Sequence, residues 1–332
     1  MKAIVLTKFG PPEVLQLQEV EKPVPKDNEV LVKIHATTVF AADCEMRGLQ
    51  FPLVFRLPFW IYMRFIRPQP IILGQELAGV IEAVGKDVTK FKAGDPVFAA
   101  TSLGLGAYAE YKCMPEEPAM LGGTLAIKPA NLTYAEAAAV PVGGLEALHF
   151  IRKANIQHGE TVLINGAGGS IGTMLVQLAR LRGAAVTAVD STEKLDMLRS
   201  IGAGRVIDYT REDFTRLGQA YDLIFDVVGK SPFARSLKAL KPNGRYLLVN
   251  PGLSHRLQAR WAAAGDKQVI IGAGPQRAED LAHLRVLIEA GQLKPVIDRR
   301  YPLEKVVEAH RYVDAGHKKG NVAITVDHNN KA

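Results

Sequence analysis

The sequence predicts an α/β fold in which a strand-rich first part precedes a parallel sheet covered by helices on both faces. Three observations predict it. An apolar run, Thr161 to Ile164, enters a glycine-rich turn, and the turn feeds a helix, Thr173 to Leu181, with apolar residues at Met174, Leu175, Leu178 and Leu181. Past that helix, strand and helix character alternate as far as residue 290, the pattern of a parallel sheet. The first 128 residues differ in texture. Short apolar runs there are punctuated at Gly10-Pro11-Pro12, Pro23-Val24-Pro25 and Gly94-Asp95-Pro96.

Composition bounds the rest. The chain has 332 residues, enough for two domains, and its 48% hydrophobic and 23% charged residues describe a globular protein. Two cysteines, Cys44 and Cys113, cannot build a disulfide framework. Met1-Lys2-Ala3-Ile4-Val5 reads as a first strand rather than a leader. A reducing, cytoplasmic setting is the expectation. The net charge of +7 raises nucleic acid or anionic surfaces as partners, but Lys and Arg are scattered rather than gathered in a block, which favours a solvated surface. The eight histidines show no metal-ligand spacing.

Val30 to Ala36, Leu77 to Val84 and Tyr108 to Cys113 read as strands of the first part. At Thr133 the texture changes: Thr133 with Glu136 three residues later forms a capping box, and a helix-rich stretch follows to Ala154. After the glycine turn come a strand ending at Asp190, a helix over Glu193 to Ile201, strands at Arg205 to Asp208 and Leu223 to Val228, and a helix over Pro232 to Leu240. Strands at Arg245 to Val249 and Val269 to Ile271 precede a helix over Ala278 to Ala290. The tail, with a helix over Glu304 to Asp314 and a strand over Asn321 to Val326, reads as returning to the first domain.

One segment stands apart. Phe51 to Leu73 holds six of the 23 aromatics, four prolines, three arginines and no acid. Those prolines and arginines rule out a spanning helix. Phe51, Phe55, Phe59, Tyr62 and Ile66 share a helical face, although Pro58 interrupts any single helix. The composition favours an excursion packed on its own core over an apolar lid on a substrate pocket, and a lid over a membrane-surface element.

The turn carries the chemistry. Glycines let the backbone turn tightly and approach a pyrophosphate, whose charge sits on a helix N-terminus. Two registers fit, Ala167-x-Gly169-x-x-Gly172 and Gly166-x-Gly168. Ala167, Gly168, Gly169, Ser170 and Ile171 are placed around the pyrophosphate, and Gly172 where strand and helix pack closely. Asp190, 18 positions past the last glycine, would accept from the adenosine ribose and tilts the choice towards NADH. Ser191, Thr192 and Lys194 could instead contact a 2′-phosphate, and Lys194 is equally at home as a solvated helix residue, so NADH against NADPH stays open. Strand ends at Asp226 to Gly229, with Val228 and Gly229, and at Asn250, Pro251 and Gly252 line the cofactor side, because ligands lie beyond the carboxyl ends of parallel strands.

Several stretches together resemble the medium-chain dehydrogenase/reductase superfamily, in its zinc-free quinone oxidoreductase-like branch. They are Asp43, Arg47 and Gly48; Gly74-Gln75-Glu76-Leu77-Ala78-Gly79-Val80-Ile81-Glu82-Ala83-Val84-Gly85; Phe91-Lys92-Ala93-Gly94-Asp95-Pro96-Val97-Phe98; Gly106-Ala107-Tyr108-Ala109-Glu110-Tyr111; the glycine turn; and Gly316-His317 with Gly320. The resemblance implies a GroES-like β-rich substrate domain over residues 1–128, a Rossmann doubly wound domain over 129–276 and a return to the substrate domain over 277–332. It also implies an active site in the cleft between the domains and a homodimer or tetramer formed through the Rossmann sheets. Gly143, Gly144 and Glu146 lie near the nicotinamide by the same resemblance, where relatives usually carry Thr in place of Glu146.

Zinc enzymes of the superfamily have a Cys three residues before the residue matching Asp43 and a His before the one matching Glu76. This chain has Phe40 and Gln75 there, neither a zinc ligand, and only Cys113 where a four-cysteine lobe would lie. Cys44 reads as a small buried hydrophobe. The expectation is therefore a reaction without zinc: an NAD(P)H-dependent transfer of hydride to a small hydrophobic enone, alkenal or quinone. By the resemblance, Phe40, Asp43 and Gln75 line the substrate pocket, with a turn or cap residue as the competing reading of Asp43, and Tyr62 and Tyr108 are the candidate proton donors. Glu76 is expected to pair with Arg47, Lys318 or Lys319, and His317 to be structural. The competing readings are a zinc-independent alcohol or aldehyde oxidoreductase, and a nucleotide-binding protein that acts by associating with a membrane, RNA or another protein.

Overall fold

The computed structural model describes residues 1–328, apart from 67–69, 121, 230, 250–257, 260–265, 273 and 275–276. The chain divides into two units. The first comprises Met1–Val142, Gln276–Glu289 and Pro295–Ala332; the second comprises Gly143–Pro275 and Ala290–Lys294.

The first unit is built on strands β1 (Lys2–Leu6), β2 (Leu15–Glu19), β3 (Glu29–Thr38), β4 (Glu76–Val84), β5 (Pro96–Ala100), β6 (Tyr111–Pro115) and β7 (Thr124–Ile127), and on β14 (Ile297–Pro302) and β15 (Asn321–Thr325) from the tail. β1 and β2 form a two-stranded ribbon. The main sheet runs β14-β15-β3-β4-β5-β7, with β6 also on β3. Its centre is β3, whose Val30, Val32, Ile34 and Ala36 are fully buried. Gly79 on β4 is required there, since a Cβ would come within 2.0 Å of the Lys33 carbonyl oxygen. The tail returns because β15 pairs antiparallel with β3.

Residues 129–142, grouped with the second domain on sequence texture, fold on the first unit. The capping box forms, with Thr133 N–H donating to Glu136 at 2.9 Å. The short helix α3 (Tyr134–Ala138) that it starts lies on β3, β4, β5 and β15. Its buried face is Ala135, Ala137 and Ala138, small enough for close approach to a sheet. The strand expected from Tyr108 begins only at Tyr111; Tyr108 itself lies in the preceding segment, with its N–H on the Leu73 carbonyl.

Helices α1 (Ala41–Gly48) and α2 (Leu53–Ile61) follow β3. Pro58 does not interrupt α2 but lies inside it, and the chain continues into a π-helical turn over Tyr62–Ile66. A proline's fixed φ is helical, and its cost is one lost backbone bond.

The second unit opens within α4 (Pro141–Ala154). It alternates β8 (Thr161–Asn165), α5 (Ser170–Leu181), β9 (Ala185–Asp190), α6 (Leu195–Ser200), β10 (Arg205–Asp208), β11 (Tyr221–Asp226), α7 (Phe233–Lys238), β12 (Leu240–Leu248) and β13 (Gln268–Ile271). All six strands are parallel, in the order β10-β9-β8-β11-β12-β13. That is the doubly wound order, in which the chain reverses direction between β8 and β11. Val162, Leu163 and Ile164 on β8 and Leu223, Ile224 and Phe225 on β11 are fully buried, as strands covered on both faces must be. Residues 290–294 join this unit through reciprocal bonds between the Gln177 amide and the Lys294 backbone, both 2.9 Å. Helices α8 (Ala278–Glu289) and α9 (Val306–Asp314) both belong to the first unit.

Candidate functional site

The glycine turn sits at the carboxyl end of β8, beside the point where strand order reverses. Gly166 adopts φ +81, which only glycine takes readily. Its N–H and that of Ala167 both bond the Val189 carbonyl, drawing the turn over β9. Helix α5 starts at Ser170, three residues earlier than the apolar spacing suggests, with Gly169 as its N-cap.

Each glycine of the turn has its own reason. A Cβ on Gly172 would lie 2.3 Å from the Gly166 carbonyl oxygen, so this position sets the close approach of helix and turn. A Cβ on Gly168 would meet the Lys194 side chain at 2.5 Å and an Asp190 carboxylate oxygen at 2.8 Å. Gly169 faces open space, with nothing within 4 Å of its would-be Cβ. An open glycine at the N-terminus of a helix of this length is where a pyrophosphate is received. These residues fit a dinucleotide.

Asp190 does more than await a ribose. Its carboxylate, almost fully buried, accepts from the Gly168 N–H at 2.7 Å and the Ser191 N–H at 2.9 Å. Lys194 Nζ lies 3.1 Å from it, on a side chain only 10% exposed. Lys194 is therefore a buried partner of the turn rather than a solvated helix residue. Ser191 is half-buried, and the exposed Thr192 bonds the Asp208 carboxylate.

Val228 and Gly229 border the turn: a Cβ on Gly166 would be 2.3 Å from Val228 Cγ2. Asp226, fully buried, fixes them. It accepts from the Gly229 N–H at 2.9 Å, the Asn165 amide at 3.1 Å and the Tyr246 hydroxyl at 2.8 Å. Gly143 brings α4 against the first turn of α5, since a Cβ there would lie 2.8 Å from the Ser170 carbonyl oxygen. Gly144 is buried beside it, and burial pushes the half-buried Glu146 carboxyl up. Asn250, Pro251 and Gly252 lie outside the described residues.

In the first unit the candidate residues belong to a buried polar chain. Arg47, on α1, is 1% exposed. It donates to the Gly10 carbonyl at 3.1 Å, to His310 Nδ1 at 3.1 Å and to Asp314 at 2.7 Å. A guanidinium cannot accept, so His310 Nδ1 must accept and Nε2 must carry the proton. Nε2 lies 3.2 Å from the Tyr108 hydroxyl, which in turn bonds the Asp43 carboxylate. Asp43 also accepts from the Phe40 N–H at 2.9 Å and, at 3.4 Å, from the Gln75 amide. Cys44 Sγ, buried as expected, lies 3.3 Å from His310 Nδ1.

Burial governs the charges. It pushes the Asp43 carboxyl up to about 6 and raises the Tyr108 hydroxyl well above its usual range. Burial, with the Arg47 charge behind it, holds His310 down at about 3. Tyr108 is thus a core residue with a committed hydroxyl. Tyr62 is half-buried, its hydroxyl 3.4 Å from the Leu103 carbonyl.

Glu76 does not pair with Arg47. Its carboxylate accepts from the Thr38 hydroxyl and from the Val142 N–H at 2.8 Å, in the first turn of α4. Burial pushes it up to about 7, partly opposed by the Lys318 charge.

The comparisons place these features. Residues 26–122 match the alcohol dehydrogenase GroES-like domain family, and residues 201–324 match the zinc-binding dehydrogenase family. The chain is 32% identical over 336 residues to the 2-methylene-furan-3-one reductase of Solanum lycopersicum, spanning 98% of this chain and 79% of that one. The chain belongs to the medium-chain dehydrogenase/reductase superfamily, quinone oxidoreductase-like. It is 31% identical to the NADPH-dependent alkenal/one oxidoreductase of Arabidopsis thaliana, again over 98% and 79% of the two chains. The quinone oxidoreductase of Coxiella burnetii superposes with a TM-score of 0.87 at 28% identity, covering 98% and 99%. This dehydrogenase/reductase is an NAD(P)H oxidoreductase.

Within the superfamily, the informative departures lie at the ends of α1 and β4. Phe40 is the residue before α1, and its ring lies 5.5 Å from Lys318 Nζ. Gln75 immediately precedes β4 and is half-buried. Among the described residues, no group of three or more His, Cys, Asp or Glu is placed to hold a metal ion. His310 and Asp314 escaped the sequence reading, because nothing local marks residues whose partners are more than 200 residues away.

Proposed function

We propose that this oxidoreductase transfers hydride from NAD(P)H to an enone, alkenal or quinone, and that it works without zinc. One observation carries the reading: Phe40 and Gln75 stand where the superfamily's zinc enzymes present Cys and His, and neither side chain is a zinc ligand. Alcohol oxidation by zinc relies on a Lewis acid to stabilise the alkoxide. Reduction of an activated double bond needs only a hydrogen-bond donor at the developing enolate oxygen and a proton for the adjacent carbon. The names of the tomato and Arabidopsis relatives, a 2-methylene-furan-3-one reductase and an NADPH-dependent alkenal/one oxidoreductase, support the same class.

When bound, the nicotinamide supplies the hydride. This chain's residues bind and orient it. The open face of Gly169 and the first turn of α5 would hold the pyrophosphate, with Val228 and Gly229 beside the turn. In the first unit, Gln75 is the half-buried amide available to a substrate oxygen, since it holds Asp43 only through a 3.4 Å contact. Of the two candidate tyrosines, Tyr62 has the less committed hydroxyl, its bond to the Leu103 carbonyl at 3.4 Å. Tyr108 and Asp43 hold the floor beneath Gln75.

NADPH is the nucleotide we assign. Asp190 would repel a 2′-phosphate if its charge were unopposed. Here that carboxylate is occupied by two backbone N–H groups and neutralised by Lys194.

Steady-state assays with NADH and NADPH against a quinone, an alkenal and a simple alcohol test the proposal, using enzyme dialysed against a chelator and checked for metal. Turnover of the alkenal or quinone by metal-free enzyme is the expected result. Rapid turnover of the alcohol alone overturns it.

A further inference from the structure

Helix α2 and the turn after it carry an apolar face that the fold does not cover. Leu53, Val54, Leu57, Trp60, Ile61 and Phe65 are all exposed, Leu53 by 79% and Leu57 by 63%. The same segment has a second apolar face that is covered. Phe59 and Tyr62 pack on the core of the first unit and Met63 is fully buried. The Phe59 ring meets Phe51 at 5.0 Å and Phe9 at 6.3 Å. The inner row therefore anchors the helix, and the outer row is not needed to do so. Trp60 and Phe65 meet edge to face at 5.6 Å within the outer row. A contiguous patch of this kind marks an interaction surface.

Its chemistry selects the occupant. Residues 51–73 hold three arginines and no acid, within a chain of net charge +7. Arg56 is exposed, with its Nε bonded to the Phe51 carbonyl at 2.8 Å. A second copy docked on the same face would set Arg56 against its own counterpart, because a two-fold contact pairs a surface with itself. An anionic bilayer offers opposite charge and an apolar layer to the same residues. Prolines at 52, 58, 68 and 70 limit the segment's length, and no helix among the described residues is long and apolar enough to cross a membrane.

We propose that this helix is a membrane-surface anchor. It lies in the plane of an anionic bilayer, with Leu53, Leu57, Trp60 and Ile61 below the headgroups and Arg56 level with the phosphates. Tryptophan suits that depth, having an apolar ring and one polar N–H. The inference goes beyond the reductase reading and does not rest on it.

Flotation of the full chain with vesicles tests it. Vesicles of phosphatidylcholine containing one-third phosphatidylserine should bind the protein at least about fivefold better than phosphatidylcholine alone, and added salt should weaken the binding. Leu57→Gln with Ile61→Gln should lower binding by about tenfold or more while leaving NADPH binding and sedimentation mass unchanged. Arg56→Gln should cost about fivefold on anionic vesicles only. Absence of flotation overturns the proposal, as does flotation that the double variant leaves intact. A fall in sedimentation mass of the double variant also overturns it, by assigning the face to a second copy.

Discussion

The ammonium of Lys194 lies 3.1 Å from the carboxylate of Asp190, and both side chains are at most 10% exposed. An acid at the end of the second strand of such a sheet reads as a ribose acceptor, but here it also braces the turn. Lys194→Ala should therefore lower kcat/KM for NADPH about tenfold relative to NADH, because the cation beside the turn is lost. Asp190→Ala removes the acceptor of the Gly168 N–H and should weaken both nucleotides together. Selective loss of NADH in that variant would show instead that Asp190 binds the ribose directly.

Gly169 and Gly172 should respond differently to the same substitution. Gly169→Val adds a side chain into open space and should cost about 1 kcal/mol or less in stability while abolishing nucleotide binding. Gly172→Val drives a Cβ to 2.3 Å from a carbonyl oxygen and should cost about 3 kcal/mol. Calorimetry and nucleotide titration on the two variants separate binding from folding.

The buried titratable groups make opposite contributions to stability as pH changes. Burial raises Glu76 from 4.5 to about 7 and Asp43 from 3.8 to about 6. Each holds its proton more tightly folded than unfolded, so the stability each confers is fully present below about pH 4 and is lost as the pH rises to about 7. His310 is lowered from 6.5 to about 3, so its contribution is present above pH 6.5 and is lost as the pH falls towards 3. Glu76→Gln should accordingly gain on the wild type as the pH rises from about 4.5 to 7, by up to about 3 kcal/mol. The deficit of His310→Gln should shrink as the pH falls. Urea unfolding across that range measures both, and a pH-independent difference would show that the group does not titrate there.

Arg47→Met should be among the most damaging single changes in the first unit. It leaves Asp314, His310 Nδ1 and the Gly10 carbonyl without their donor, at a cost of about 3–5 kcal/mol. Adding Asp314→Asn should recover part of the loss, because it removes the unpaired charge. Equal stabilities of the single and double variants would mean that Asp314 contributes nothing in the pair.

The sequence by itself determined what is local. Apolar runs of strand length, the glycine turn, the capping box at Thr133 and the absence of ligand side chains at 40 and 75 are all properties of neighbouring residues. They were enough for the two-domain α/β fold, the nucleotide turn and the family. Tertiary structure decided the pairings. Arg47 could be matched to Glu76 on paper as one of several bases for that acid, but α9 brings Asp314 and His310 to it from more than 260 residues away. Lys194 looked like a solvated helix residue until the turn folded over it and buried it against Asp190. Residues 129–142 took the texture of the helical domain, yet α3 lies on the first sheet, where its small buried alanines fit. Burial and long-range partners are set by how the elements pack, and no stretch of chain carries that information alone.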